Sequence, residues 1–176
     1  KGVGALFIRK GIDFKAHQQG GGQERNRRAG TESPALIVGF QTAARQAVQE
    51  MAARTENMKS AVSLLRELLI QTIPLIRINT GLENSLPNIL NVSFLDAETL
   101  DGEAILQSLD IHGIAASNGS ACVSGSLQPS HVLSAMGRSD AEAKAAVRFS
   151  VSKDTTERDI RMAANALAEV MIALRQ

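Results

Sequence analysis

Asn88-Ile89-Leu90-Asn91-Val92-Ser93-Phe94 is the stretch from which the fold of the second half of the chain follows. Leu90, Val92 and Phe94 alternate with Asn91 and Ser93. That two-residue period belongs to a strand with one face in a core and the other on polar ground. Val147, Phe149 and Val151 alternate with Arg148 and Ser150 in the same way and predict another strand. Leu75 to Asn79, just after Pro74, is a third candidate. Residues 99–110 read as a helix that Gly113 can close in a left-handed conformation. Pro129-Ser130 opens a short helix through Val132, Leu133 and Met136 that Gly137 ends, and residues 139–145 suggest a brief helix. Thr156 with Asp159 resembles a capping box. It opens a terminal helix with Ile160, Ala163, Leu167, Val170 and Leu174 on one face. Strands mixed with helices on this scale predict an α/β fold class, with an α+β layer built on a short sheet.

The first half is less regular. Val3 to Ile8 is a short apolar run that reads as a buried strand, and residues 11–19 as a weaker second one. Gly20-Gly21-Gly22-Gln23-Glu24-Arg25-Asn26-Arg27-Arg28-Ala29-Gly30-Thr31-Glu32 follows as a glycine- and arginine-rich loop. Ser33-Pro34 is a helix start, with Ser as N-cap and Pro at the first helical position. Apolar residues at helical spacing run from Leu36 to Met51 and resume from Met58 to Leu69. One unbroken helix over 34–73 would be roughly 60 Å long at 1.5 Å per residue, too long for a compact body of this size. A break is expected near 54–57, with a change of domain close by.

The bulk numbers exclude several functions. The net charge is +1, which supplies no bulk attraction to nucleic acid or anionic membrane. Trp and Tyr are absent and Phe numbers five, so base-stacking platforms are scarce. No nucleic-acid contact is expected. No apolar run has the length of a membrane span. One cysteine among 176 residues rules out an internal disulfide and fits a reducing compartment such as the cytoplasm. His17, His112 and His131 are scattered, so a metal site made by this chain alone is not expected. The chain opens Lys1-Gly2-Val3-Gly4, with neither Met nor a signal-like segment, and reads as starting mid-protein.

Three places can carry chemistry. Cys122 lies in the run from Gly113 to Pro129, among small and polar residues, with Gly119 and Gly125 on either side. Such a tether suits a reactive thiolate, whereas structural cysteines sit among large aliphatics. A spare surface thiol is the other reading. Arg148 stands opposite the apolar face of its strand, where a guanidinium can hold a carboxylate by two parallel hydrogen bonds. Taken alone, an edge-strand arginine paired with a surface acid explains it as well. Consecutive N–H groups in the glycine-arginine loop can form an anion-binding nest, and Thr31 adds a hydroxyl close to a helix N-terminus. A solvated loop whose arginines are partly neutralised by Glu24 and Glu32 is the alternative.

Seven stretches, in order, resemble the cysteine desulfurases of the NifS/IscS type. They are Lys1-Gly2-Val3-Gly4-Ala5-Leu6, Gly20-Gly21-Gly22-Gln23-Glu24-Arg25, Arg28-Ala29-Gly30-Thr31-Glu32, Leu86-Pro87-Asn88-Ile89-Leu90-Asn91-Val92-Ser93-Phe94, Gly119-Ser120-Ala121-Cys122, Pro129-Ser130-His131-Val132-Leu133 and Val147-Arg148-Phe149-Ser150. Those enzymes are pyridoxal-phosphate proteins of the aspartate-aminotransferase fold, fold type I.

The resemblance implies a domain plan and roles. Residues 1–45 would be the end of the cofactor-binding large domain, and 46–176 the small domain carrying the Cys122 loop. Cys122 would be the nucleophile that takes sulfur from L-cysteine as a persulfide, leaving L-alanine. Arg148 would bind the substrate carboxylate. Thr31 would reach the phosphate of pyridoxal 5'-phosphate, across a homodimer interface in that family. The Schiff-base lysine would lie upstream of Lys1, so this chain by itself would be inactive. An iron-sulfur scaffold or another acceptor protein would receive the sulfur, and Cys122 is a possible cluster ligand shared with such a scaffold. A freestanding module that relays persulfide, or a selenocysteine lyase-like enzyme, would share much of this pattern. The chain departs from the family at Asn118 (usually Ser), Gln128 (usually Glu) and Asn26 (commonly Gly).

Overall fold

The computed structural model describes residues 2–81, 83–118 and 128–176. They form two compact units, Lys1–Met51 and Ala52–Gln176.

The second unit is built on a three-stranded antiparallel sheet of order β1-β2-β3: β1 (Ile76–Ile78), β2 (Ile89–Phe94) and β3 (Val147–Ser150). All three lie within the predicted segments. Register follows the alternation. Ile76 pairs with Phe94 and Ile78 with Val92, while Leu90 faces Phe149 and Val92 faces Val147. A one-residue slip would carry the whole apolar set to the wrong face. Leu90, Val92, Phe94 and Val147 are buried against α3 (Met51–Thr72), α4 (Gly102–Ile111) and α7 (Glu157–Leu174) in one core. From α3 come Leu65 and Leu69, from α4 Ile105 and Leu109, and from α7 Ile160, Leu167 and Val170. Ala163, Ala164 and Ala166 add small side chains to α7's buried surface.

The opposite face of the sheet is polar. Arg77, Ser93, Asn91 and Arg148 lie on it. Part of it is covered by α6 (Asp140–Lys144), from which Glu142 reaches Arg77 at 3.1 Å. Leu133 of α5 (His131–Ala135) forms a small satellite cluster there with Ala143 and Ala146.

Helix ends are determined locally. Thr156 and Asp159 form the predicted capping box, and Ser139 with Glu142 forms a second one at α6 that the sequence reading passed over. Gly113 (φ +76°) and Gly137 (φ +77°) both adopt the left-handed conformation. At each, the two following amides close a Schellman pair: Gly113 N–H to Asp110 and Ile114 N–H to Leu109, then Gly137 N–H to Ser134 and Arg138 N–H to Leu133. The helix expected from residue 99 starts instead as a single 3₁₀ turn, Ala97–Thr99, before α4.

The first unit corrects three expectations. Residues 3–8 and 11–19 form no strand. A strand exists only through a hydrogen-bonded neighbour, and no described segment pairs with either run. The helical break falls at Glu50, between α2 (Pro34–Gln49) and α3, not at 54–57. The polar run Arg54-Thr55-Glu56-Asn57 continues the helix, because polar residues cost little in a turn where none of them is buried. Among the described residues of this unit Ala29 is the buried one, while Leu6, Phe7, Ile12, Leu36, Ile37 and Phe40 are exposed.

Candidate functional site

Arg148 is positioned by the sheet. Val147 and Phe149 on either side of it point into the core, so the pleat turns its side chain to the polar face, half-buried. Asn91 of β2 is its cross-strand neighbour. On the outer side of β3 the chain passes antiparallel through Ser117. Arg148 N–H donates to Ser117 O at 2.7 Å, and Ser117 N–H donates to Arg148 O at 3.2 Å. The segment leading towards Cys122 is therefore bonded to the backbone of Arg148 itself.

One residue further on, the Asn118 side-chain amide donates to the Lys144 carbonyl at the end of α6. Serine, the usual residue there in the resembling family, is shorter and has no amide to extend to that oxygen. The same carbonyl lies against Gly102 at the start of α4. Three chain segments thus converge on the Lys144 oxygen, just upstream of β3.

Cys122 lies outside the described residues, as do Gly119 and Gly125. Gln128, where the chain is next described, is exposed and leads through Pro129 to Ser130, the N-cap of α5.

A cluster that sequence reasoning missed lies beside Arg148. Asn79 is 5% exposed and Ser93 is fully buried. The Asn79 amide donates to Asn91 Oδ1 at 2.8 Å and to Ser93 Oγ at 3.2 Å. Asn79 N–H donates to Asn91 O, and Asn91 N–H to Thr80 Oγ1. Buried amides must be hydrogen-bonded or they destabilise the fold, and here the partners hold one another. The signal available beforehand was the alternation itself, which sets Asn91 and Ser93 on one side of their strand.

The first unit holds the glycine-arginine loop. Its centre is the four-residue turn α1 (Gln23–Asn26), with Glu24 (φ 51°), Arg25 (φ 58°) and Asn26 (φ 62°) all left-handed. Each such residue costs roughly 1–2 kcal/mol unless it is Gly or, less severely, Asn or Asp. Asn26 is thus among the tolerable non-glycine choices. The loop is closed by its own contacts. Ala29 N–H donates to Gln18 O, Asn26 N–H to Gly22 O, and Gly30 N–H to Gln23 Oε1. Glu24 approaches Arg28 at 3.8 Å, as the neutralised-loop alternative has it. These three amides are occupied by the loop itself.

Thr31 follows, exposed, two residues before the N-cap Ser33. Ser33 makes no side-chain capping bond, and Pro34 has no N–H to satisfy. The first turn of the 16-residue α2 therefore retains free donor capacity at its positive end. A hydroxyl with no hydrogen bond among the described residues and an uncapped helix start suit a phosphate group. Thr31 and Arg148 belong to different units.

Among the described residues no group of His, Cys, Asp and Glu could hold a metal ion, and no helix is long and apolar enough to cross a membrane.

The family model described as Aminotransferase class-V matches residues 1–162. Over 179 residues the chain is 43% identical to "Cysteine desulfurase NifS" of Azotobacter vinelandii, covering 99% of this chain and 43% of that protein. It is 39% identical to "Cysteine desulfurase IscS" of Dictyoglomus turgidum, covering 99% and 44%. Among solved structures, a "NIFS-LIKE PROTEIN" superposes with a TM-score of 0.78 at 33% identity, covering 95% of this chain and 41% of that one. A NifS-like protein from Rickettsia africae superposes with a TM-score of 0.74 at 30% identity, covering 90% and 40%. The chain spans less than half the length of these relatives.

Proposed function

Because the chain belongs to the class-V aminotransferase family, we propose that the whole protein is a cysteine desulfurase and that this chain carries its sulfur-accepting thiol and its carboxylate-binding arginine. The observation that carries the reading is the pair of hydrogen bonds between Ser117 and Arg148. Cys122 is four residues beyond Asn118, and four residues of chain span at most about 14 Å. The sulfur is thus tethered within reach of whatever Arg148 holds. Relatives of some 40% identity named cysteine desulfurases support the same conclusion.

Arg148 grips the α-carboxylate of L-cysteine and orients the molecule. The Cys122 thiolate then attacks the substrate sulfur. An S–S bond forms and the C–S bond breaks. The carbon framework takes up the electron pair and a proton, leaving as L-alanine, and Cys122 keeps a persulfide. Pyridoxal 5'-phosphate, the cofactor of this family, supplies the electron sink when bound. Thr31 and the first turn of α2 fit its phosphate. The lysine for its aldehyde belongs, by the family pattern, to sequence upstream of Lys1.

In this reading residues 1–45 are the end of a large domain and 46–176 the small domain. The exposed apolar side chains of the first unit are then covered by the rest of the large domain. The whole protein is a cytoplasmic homodimer that passes its sulfur to an iron-sulfur scaffold or a similar acceptor. In the full-length protein, Cys122→Ala is expected to abolish sulfur release from L-cysteine, and Arg148→Lys to raise KM about tenfold or more by losing the bidentate fork. Undiminished sulfur release by Cys122→Ala would refute the assignment.

A further inference from the structure

Asn91 is the neighbour of Arg148 across the sheet, on the same face. Opposed side chains in an antiparallel pair stand about 5 Å apart, close enough to share one small ligand. An asparagine beside an arginine ordinarily offers the guanidinium its oxygen. Here that oxygen is engaged on the other side, accepting the Asn79 amide at 2.8 Å. Asn79 is itself held in place, since its amide also donates to Ser93 Oγ and its Oδ1 accepts the Ser93 hydroxyl. Its oxygen is taken by Asn79 on the β1 side, so the group Asn91 has left for a ligand beside Arg148 is its NH₂. That NH₂ donates to none of the described residues, while Asn91 remains half-exposed. A neutral donor beside a cation is an arrangement for an anion.

We propose that Asn91 is a second carboxylate-binding group, donating its side-chain N–H to the oxygen of an α-carboxylate held by Arg148, with Asn79 as the positioning residue that orients it. The identification of that carboxylate as L-cysteine rests on the function proposed above. The pairing of the two donors rests on the sheet register and the Asn79–Asn91 bond alone. The contact favours amino acids over their amides or decarboxylated amines, because only a carboxylate accepts from both groups at once.

The test has two arms. In the full-length enzyme, Asn91→Ala is expected to lower kcat/KM for L-cysteine about tenfold or more, the size of one charge-assisted hydrogen bond. KM rises while kcat changes little, and the preference for L-cysteine over L-cysteinamide shrinks by the same factor. Asn91→Asp, with an acceptor in place of the donor, loses more than Asn91→Ala. Asn79→Ala raises KM as well, yet the double variant is no worse than Asn91→Ala alone, since Asn79 acts through Asn91. In the 176-residue chain, the Asn91 side-chain amide signal should shift on titration with L-alanine or L-cysteine and stay still with cysteamine. An unchanged acid-to-amide preference in Asn91→Ala, with that preference lost in Arg148→Lys, would overturn the proposal and leave the desulfurase reading intact. A carboxylate-specific shift in a protein whose full-length form releases no sulfur would keep Asn91 and remove the desulfurase.

Discussion

Gly102→Ala sets two effects of opposite sign against each other, and the structure decides between them. On propensity alone alanine is favoured over glycine in a helix, by about 1 kcal/mol in the interior and less in the first turn. Against that, a Cβ at residue 102 would clash with the Lys144 carbonyl oxygen and lie 2.9 Å from its carbon and 3.0 Å from Ala145 Cα. All three are backbone atoms, so no rotamer change relieves the contact. The start of α4 must move by most of an ångström relative to α6. That movement strains the Asp101 cap, whose Oδ1 accepts from Glu103 N–H at 2.9 Å and Ala104 N–H at 3.4 Å. It also displaces the oxygen that Asn118 binds. Overpacking costs about 1–3 kcal/mol and loss of a cap about 1 kcal/mol. The net destabilisation is expected to be about 2–3 kcal/mol. Equilibrium urea unfolding of the 176-residue chain reads it as a lower midpoint with little change in slope. A Gly102→Ala variant as stable as the parent, or more so, would refute the close approach of α4 to the Lys144 carbonyl.

Two further predictions concern the terminal helix. Arg175 meets Asp96 through Nε–Oδ2 at 2.8 Å and Nη2–Oδ1 at 2.9 Å, lies over the Phe94 ring and is mostly shielded from water. Arg175→Ala should cost about 1–2 kcal/mol, and Arg175→Lys should recover only part of it, because an ammonium lacks the planar fork. Equal urea midpoints for all three proteins would contradict that. The Asp159 carboxyl is held below its ordinary value of 3.8, first by the Thr156 N–H, then by the Thr156 hydroxyl and, to a smaller degree, by Arg158. A folded value below the unfolded one gives stability that is complete above 3.8 and lost as pH falls through the lower folded value. Asp159→Asn should therefore weaken the chain at neutral pH and flatten its stability profile on the acid side. An unchanged acid limb would show that this cap does not titrate with folding.

The second unit was legible because its signals are local or strictly periodic. Alternation along β2 and β3 names both faces of the sheet, so the outward placement of Arg148 follows from counting residues. Glycine after α4 and after α5, and Thr156 before α7, mark ends that depend on a few adjacent dihedrals and side chains. Val3 to Ile8 misled because its apolar content resembles a strand, whereas pairing needs a neighbour that a window of sequence does not contain. The break at Glu50 was misplaced for a related reason. A polar stretch looks like an interruption, yet a helical turn with no buried residue tolerates it.

From sequence alone came the second unit's alternating strands and capped helices, the uniqueness of Cys122, and the outward face of Arg148. Tertiary structure alone decided that Ser117 is bonded to Arg148, that Asn118 reaches the Lys144 carbonyl, and that Asn79 donates to the side-chain oxygen of Asn91. The physical reason is distance along the chain. Dihedral preferences and hydrophobic period act over a few residues, whereas these contacts join groups 12 to 31 residues apart once the sheet and its helices have closed.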